Sequence, residues 1–567
     1  MTQQISLPSL TPVTPHWWQQ TVLYQIYPLS FKDTNGDGLG DLRGIIEKLP
    51  YLHDLGIGGV WISPFYDAVL QYDYGYGPRD LKAIHPLFGT MADFDELLAQ
   101  ARELDIKIIM EWAVTNTSVW SQWFLESRSS RDNPKADWYL WTDTPNNWVS
   151  FSGGSAWHYC PERNQYYMGH FFKEHAELNW RNPAVQQAVL EAMEFWIQKG
   201  IHGFRLDTVN LYVKDKHFRD NPPVDVNIDF LKLNFDADDP IFQSKYLPFL
   251  LPDDWKYEHR YDMNQPESLD ILRKMRALCD KYDKDFLLLG EANINSEIAV
   301  QLCDAGMSLG NNFSLTNCQW DAREFGDVLR QEQSILDRFL AVTVFSNHDC
   351  PRAISAFATD DPRETELRAR VLAALTLTVR GVPMFYYGEE IGQLDAEIPF
   401  SELTDPISSR YYYLKRDGHI RDVARSPMSW DASPTAGFTS ATHPWLRLSP
   451  GHTLRNVESE TNDPQSLLNC YRHLIALRNA TPALQTGDFR LLAAGEEGYL
   501  VYSRNLADAC YVIMLNFSTE LKAIDLADLG LITDTAPIFV LGGERCAPAT
   551  ICLDPYGIVM LEVYARL

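Results

Sequence analysis

Paired cysteines are missing from this chain. Its nine cysteines, at positions 160, 279, 303, 318, 350, 470, 510, 546 and 552, are odd in number and never fall into a Cys-x-x-Cys pair. That excludes a zinc ribbon and argues against a disulfide frame, so reduced thiols and a cytoplasmic location are expected. Basic residues are also short, with 49 Lys and Arg against 76 Asp and Glu and a net charge of -27. Nucleic acid and anionic membrane both need basic patches, so neither is expected as a partner. No apolar run is long enough to span a bilayer. Residues 1–8 lack the basic and apolar regions of a signal peptide. Internal repeats and low-complexity tracts are absent too.

What is present is a large soluble chain of 567 residues, 45% hydrophobic and 22% charged. After a Pro/Thr/Gln-rich arm over residues 1–17, strand and helix patterns alternate. Strands are expected at 22–31, 59–65, 107–114, 203–209, 286–291, 312–315, 340–345 and 382–387. Helices are expected at 42–55 and 94–104, and from Asn182-Pro183 to Gly200, where Asn is the cap and Pro takes the first helical position. A further helix is expected at 267–282, and another opens on Asp361-Pro362-Arg363-Glu364, read as a capping box. About eight strands separated by helices predict an α/β fold, a (β/α)8 TIM barrel. Two irregular excursions interrupt the alternation. Residues 116–180, rich in Trp, Asn, Ser and Gly, read as a small domain inserted after the third strand, and 211–283 as a second insert. From about 486 to 567 short strands follow one another, predicting a C-terminal β-sandwich domain. The barrel is thus divided into 1–115 and 181–485.

Three of the expected strands end in carboxylates: Gly203-Phe204-Arg205-Leu206-Asp207, Leu289-Gly290-Glu291 and Phe345-Ser346-Asn347-His348-Asp349. Catalytic groups of such barrels lie at the C-terminal ends of the strands. Three carboxylates there suit glycoside cleavage: one attacks the sugar, one protonates the leaving oxygen and one steadies the oxocarbenium-like transition state. Arg205 can keep Asp207 ionised, and the apolar run before Glu291 can raise a carboxyl toward the range of a general acid. The loop Asp33-Thr34-Asn35-Gly36-Asp37-Gly38-Leu39-Gly40-Asp41 sets oxygen donors at alternate positions around glycines, which suits a hard cation such as Ca²⁺ or Mg²⁺ in a structural role. An EF-hand is excluded, because Gly44 stands at the twelfth position. Gln71-Tyr72-Asp73-Tyr74-Gly75-Tyr76 offers rings and a carboxylate for a pyranose.

Together with Tyr24-Gln25-Ile26-Tyr27-Pro28, Pro145-Asn146-Asn147-Trp148, Glu177-Leu178-Asn179-Trp180 and Arg425-Ser426-Pro427-Met428-Ser429-Trp430, these strings resemble glycoside hydrolase family 13, the α-amylase family. They are closest to its α-glucosidase and oligo-1,6-glucosidase branch. The resemblance implies Asp207 as nucleophile, Glu291 as acid/base and Asp349 as transition-state stabiliser. It implies Arg205, His348, Asp73, Tyr76 and Arg352 around the first sugar subsite. Asp33, Asn35, Asp37, the Leu39 carbonyl and Asp41 are implied as cation ligands. Thr208, where the branch carries Val for α-1,6 and Thr or Ala for α-1,4 cleavage, implies α-1,4 action.

Two departures from the family pattern stand out. Glu111 replaces an Asp and Asn116 a sugar-binding His of the third-strand motif, and Gly77 replaces a frequent Asp. Asn116 is therefore expected to retune the subsite near C6. The expected activity is a retaining exo-α-glucosidase on short α-glucosides such as maltose or sucrose, with some transfer to a sugar or alcohol acceptor. A trehalose synthase- or sucrose isomerase-like enzyme is the alternative. A non-catalytic sugar-binding relative is the third reading, and the complete set of carboxylates argues against it. The chain is expected to act as a monomer or homodimer.

Overall fold

The computed structural model describes residues 15–70, 74–224, 256–293, 297–336, 338–411, 420–495, 497–531 and 535–564. Eight parallel strands close into a barrel: β1 (Leu23–Ile26), β2 (Gly59–Ile62), β3 (Lys107–Trp112), β4 (Gly203–Leu206), β5 (Leu287–Asn293), β6 (Leu309–Asn312), β7 (Ala341–Thr343) and β8 (Val382–Tyr386). Each strand neighbours the next in sequence, and β8 closes on β1. Between and after them run α1 (Leu42–Leu55), α2 (Met91–Glu103), α3 (Pro183–Lys199), α4 (Glu267–Asp280), α5 (Glu297–Asp304), α6 (Ala322–Leu336), α7 (Pro362–Thr378) and α8 (Leu467–Ala480). This is the TIM barrel that the alternation predicts.

Side-chain alternation along each strand separates two layers of core. Leu23, Trp61, Ile109, Leu287, Leu289, Val342, Val382 and Met384 pack together inside the barrel. Their neighbours Tyr24, Val60, Ile108, Phe204, Leu288 and Phe385 belong to the outer core shared with the helices. Arg205 pairs across the sheet with Leu289 on one side and Glu111 on the other. The arginine therefore stands on the interior face, above the apolar plug.

Helix ends follow their caps. Asp41 accepts from the Gly44 amide to start α1, and Gly56 ends it with φ 91°. Asn182 accepts from Ala184 to start α3. Asp361 caps α7 through the Arg363 amide. The expected capping box is not closed, because Glu364 turns to Arg368 and to the Tyr556 hydroxyl instead. Two strand expectations shift. The first strand stops at Ile26 because Pro28, with no N–H for a ladder, opens a short helix, Pro28–Phe31. The sixth strand lies earlier than expected, and Ser314–Asn317 is a 3₁₀ turn.

Within 116–180, Asn116–Ser118 pairs antiparallel with His175–Glu177, and Trp141–Thr142, Gln165–Met168 and Trp157–Cys160 form a small sheet. At the C-terminus, β9 (Asp488–Ala494), β10 (Tyr499–Leu506), β11 (Ala509–Asn516), β12 (Lys522–Asp525), β13 (Phe539–Ala547) and β14 (Thr550–Tyr564) make one hydrogen-bonded antiparallel sheet. One face of this sheet has a core of its own, in which Val501, Val512, Met514, Ile551 and Leu561 pack together, and the other face is shared. Leu500, Tyr502, Ile513, Leu515 and Met560 continue the outer core of the barrel. Arg504, a buried arginine of the sheet, binds the joint, beside a second buried arginine, Arg478 of α8. Arg478 donates to the carbonyls of Leu377, Leu484 and Gly381. Arg504 donates to those of Thr378, Val379, Leu484 and Gly487. Burial lowers both guanidinium pKa values, that of Arg504 to about 9.

The expectation of reduced thiols throughout is corrected at one place: Cys546 and Cys552 form a disulfide, with Cα atoms 5.8 Å apart. Its cause is the tight antiparallel turn between β13 and β14, which brings residues six apart in sequence onto facing strands. The other seven cysteines are free. Among the described residues no helix is long and apolar enough to cross a membrane.

Candidate active site

The C-terminal ends of β3, β4 and β5 converge on Arg205. Its Nη1 donates to Asp207 Oδ1 at 2.7 Å and to Glu111 Oε1 at 2.7 Å, and its Nη2 pairs with Glu291 Oε1 at 2.8 Å. One guanidinium thus holds three carboxylates side by side, and its side chain is only 1% exposed. Its face also lies over the Trp61 ring, 5.0 Å from the centroid. Glu111, fully buried, accepts from Trp61 Nε1 at 2.8 Å as well as from Arg205. Burial pushes its carboxyl up to about 7 against the opposing pull of Arg205.

Asp207 follows β4 directly. Burial and then the charge of Glu291 push its carboxyl well above the usual range, while Arg205 opposes them. Thr208 comes next, with φ 41°. For a β-branched residue this left-handed conformation costs about 1–2 kcal/mol. Its contacts offset that cost. The Thr208 amide donates to Glu291 Oε2 at 3.0 Å, its hydroxyl donates to Asp207 Oδ2 at 3.1 Å, and the same hydroxyl meets Thr115 Oγ1 at 2.8 Å. Thr208 therefore touches both carboxylates, beyond the linkage-sorting place that the sequence pattern implied.

Asp349 lies across the cavity, with Oδ1 accepting from Arg425 Nη2 at 2.9 Å and Arg421 Nη1 at 3.1 Å. Arg421 and Arg425, with the Nε2–H of His348, hold its carboxyl far below the ordinary range despite burial. His348 itself is neutral, its pKa lowered by burial to about 3. Gln25 Nε2 donates to its Nδ1 at 2.8 Å, which leaves the N–H on Nε2. That N–H faces the Tyr76 hydroxyl at 2.7 Å and Asp349 Oδ2 at 3.1 Å.

These groups border a pocket of about 370 Å³, lined by Tyr76, Asn116, Asp207, Thr208, Glu291 and Asp349 together with Phe151, Phe171, His175, Met263, Ile407 and Arg421. Of the expected site residues, Asp207, Glu291, Asp349, Tyr76, Asn116 and Thr208 face the cavity. Arg205 and His348 lie behind it, in contact with those that do. Asp73 lies outside the described residues. Arg352 is a correction: it does not line the pocket. It is buried, donates to the Tyr387 carbonyl at 2.6 Å and stacks on Tyr386 and Tyr387. The arginines that contact Asp349 are Arg421 and Arg425. Arg421 is held bidentate by Asp405 at 2.7 Å through each contact. The quoted string around Arg425 was a usable signal for that residue; Arg421 had none.

The loop after β1 is a run of side-chain-to-backbone turns. Asp33 Oδ1 accepts from Asn35 and Gly36, Asn35 from Asp37, and Asp37 from Leu39. Asp41 accepts from Thr34 and Gly44. Asp33 and Asp41 are buried, and among the described residues neither forms an ion pair. Asp33 Oδ2 accepts in turn from the Gly38 amide and the Thr439 hydroxyl, and the carboxylate oxygens of Asp33, Asp37 and Asp41 do not all lie within 4.8 Å of one another.

Comparison with known proteins agrees with this geometry. The catalytic-domain profile of alpha amylase matches residues 25–487. A probable alpha-glucosidase of Rhizobium meliloti (strain 1021) is 37% identical over 93% of this chain and 94% of its own length. An oligo-1,6-glucosidase of Heyndrickxia coagulans is 34% identical over 90% and 94%. Among solved structures, the alpha-glucosyl transfer enzyme XgtA superposes with a TM-score of 0.83 at 33% identity, covering 97% of this chain and all of that one. An isomaltulose synthase from Erwinia rhapontici NX5, in complex with sucrose, does so with a TM-score of 0.84 at 30% identity, covering 98% of this chain and all of that one. The chain belongs to the alpha-amylase family, glycoside hydrolase family 13.

Proposed function

We propose that this protein is a retaining exo-α-glucosidase that releases, and in part transfers, terminal α-glucosyl residues of short α-1,4-linked glucosides such as maltose or sucrose. The observation that carries the reading is Arg205, which holds Asp207 and Glu291 together at the base of a pocket while Asp349 stands across from them. Retaining enzymes need their two carboxyls close, about 5–5.5 Å apart, so that one can attack without an intervening water.

In the first step an ionised Asp207 attacks the anomeric carbon. The glycosidic bond breaks as the proton of Glu291 passes to the leaving oxygen, which gives a glucosyl ester on Asp207. With that proton on Glu291, the negative charge that most raises Asp207 after burial is gone. In the second step the acceptor oxygen bonds to the anomeric carbon, its proton goes to Glu291, and Asp207 leaves as a carboxylate. Asp349, kept ionised by its arginines, stabilises positive charge on the ring in both transition states. Phe151 and Phe171 from the first insert and Met263 from the second line the pocket, and walls from both inserts favour a chain end over the middle of a polymer.

A hard cation, Ca²⁺ or Mg²⁺, held by Asp33, Asn35, Asp37, the Leu39 carbonyl and Asp41, would neutralise the loop and fix it in place. The cytoplasm is kept as the site of action on the strength of the seven free thiols, with the single disulfide confined to one hairpin.

The second reading, a dedicated transglucosylase or isomerase, draws on the solved relatives named for glucosyl transfer and isomaltulose synthesis. Both readings share the glucosyl ester and differ only in the acceptor. NMR of products from maltose and sucrose, with a panel of α-1,1 to α-1,6 glucosides, separates them. Glucose released first as the α-anomer supports the main reading. Rearranged disaccharides in place of glucose favour the second. An Asp207→Asn variant as active as wild type would overturn both.

A further inference from the structure

His175 takes no part in the catalytic scheme, yet it stands in the pocket wall. It is 2% exposed and lines the cavity with Asp207, Glu291 and Asp349. Strand pairing places it, in the register His175↔Ser118 and Glu177↔Asn116, on the same face as Asn116. Phe172 meets its ring edge-on with centroids 5.2 Å apart.

The imidazole lies directly against the backbone of Gly77. A Cβ added at Gly77 would stand 2.4 Å from His175 Nε2 and 2.6 Å from Cδ2, and the Gly77 φ lies outside the left-handed region. Backbone conformation therefore does not demand glycine at 77; the imidazole does, since no side chain at 77 can share that space with the ring as it is placed. Asn116 completes the arrangement. Its Nδ2 donates to the carbonyl of Tyr76 at 3.0 Å and so braces the chain on which the imidazole rests. This turns an amide hydrogen of Asn116 to the main chain, away from the pocket where the sequence pattern expected it to serve the sugar.

We propose that His175 is a substrate-binding residue of this enzyme, hydrogen-bonding a hydroxyl of the glucosyl unit held over Asp207, with Gly77 giving it room and Asn116 bracing its seat. An imidazole carries both a donor and an acceptor and can serve a hydroxyl in either sense. This inference rests on the α-glucosidase reading and deepens it.

The test is kcat/KM of wild type, His175→Ala and His175→Gln on p-nitrophenyl α-glucoside and its 2-, 3-, 4- and 6-deoxy analogues. Wild type is expected to lose about tenfold on the one analogue that lacks the partner hydroxyl, the scale of one hydrogen bond. His175→Ala should lose about as much on the parent glucoside and no longer distinguish that analogue, and His175→Gln should recover part of the discrimination. Gly77→Ala, which drives a methyl into the imidazole, should show the same hydroxyl signature, and it serves if His175→Ala does not fold. Equal losses on all five donors, or none, would overturn the role. If wild type cleaves no α-glucoside, the α-glucosidase reading itself fails. Glucose affinity by calorimetry then decides the role of His175 separately, and an affinity unchanged in His175→Ala refutes it.

Discussion

Replacing Arg205 by lysine tests the centre of the site. Arginine makes three short contacts there, to Asp207 and Glu111 at 2.7 Å and to Glu291 at 2.8 Å. Lysine keeps the charge but not the planar fork, and its single nitrogen cannot serve carboxylates on three strands at once. A hydrogen bond to a charged group contributes about 1.5–3 kcal/mol. Two of the three contacts are lost, and relaxation recovers part of them. The net loss of transition-state stabilisation is therefore about 2–4 kcal/mol, or about 30- to 1,000-fold in kcat/KM. The pH profile carries a second signature. Arg205 holds Asp207 down against burial and Glu291. Weakening that hold raises the Asp207 pKa, the nucleophile ionises at higher pH, and the acidic limb of kcat/KM moves upward. Steady-state kinetics on p-nitrophenyl α-glucoside between pH 4 and 9, with a circular dichroism melt as control, give both quantities. A variant within about threefold of wild type with an unmoved acidic limb would refute the claim that this guanidinium organises the carboxylates.

Other outcomes follow from neighbouring features. Thr208→Val removes the hydroxyl contacts to Asp207 and Thr115 and should raise the isomaltose-to-maltose ratio of kcat/KM; a ratio unchanged within about twofold would detach linkage choice from this residue. Chelation by EDTA should lower the melting temperature by several degrees and added Ca²⁺ should restore it, because a ligand that binds only the folded state stabilises it; indifference to both would empty the 33–41 loop of its assigned cation. Glu389 is buried with Ser346 and Tyr471 as partners, and burial pushes its carboxyl from 4.5 to about 7. A raised carboxyl pKa means that its stabilising contribution is full below about pH 4.5 and is lost as pH rises through about 7. Glu389→Gln should therefore flatten the fall of melting temperature across that window, and an unaltered slope would contradict the sign.

The barrel was legible because β-strand and helix periods alternate cleanly and because Asn182 and Gly200 punctuate a helix by local chemistry alone. Asp207, Glu291 and Asp349 were legible because each ends an apolar strand. The arginines around Asp349 were harder to see, since Arg421 and Arg425 come from the stretch after β8 and reach the site only through the closure of the barrel. Arg352 misled for the same reason: three residues from Asp349 in sequence, it turns to the Tyr387 carbonyl. His175 was invisible because its place depends on an antiparallel pairing within the inserted segment. The Cys546–Cys552 link depends on a hairpin register that spacing alone does not reveal.

Arg478 and Arg504 bear on how this chain is made and recombined. The carbonyls of Leu377, Thr378, Val379 and Gly381, leading into β8, accept hydrogen bonds from two guanidiniums 97 to 126 positions downstream. During synthesis the strand that seals the barrel emerges well before Arg504 of β10, which satisfies the carbonyls of its approach. A chimera joined near residue 487 would part Arg504 from those carbonyls. The C-terminal sheet is thus inherited with the barrel, and shuffling within the family must keep both sides of that joint together.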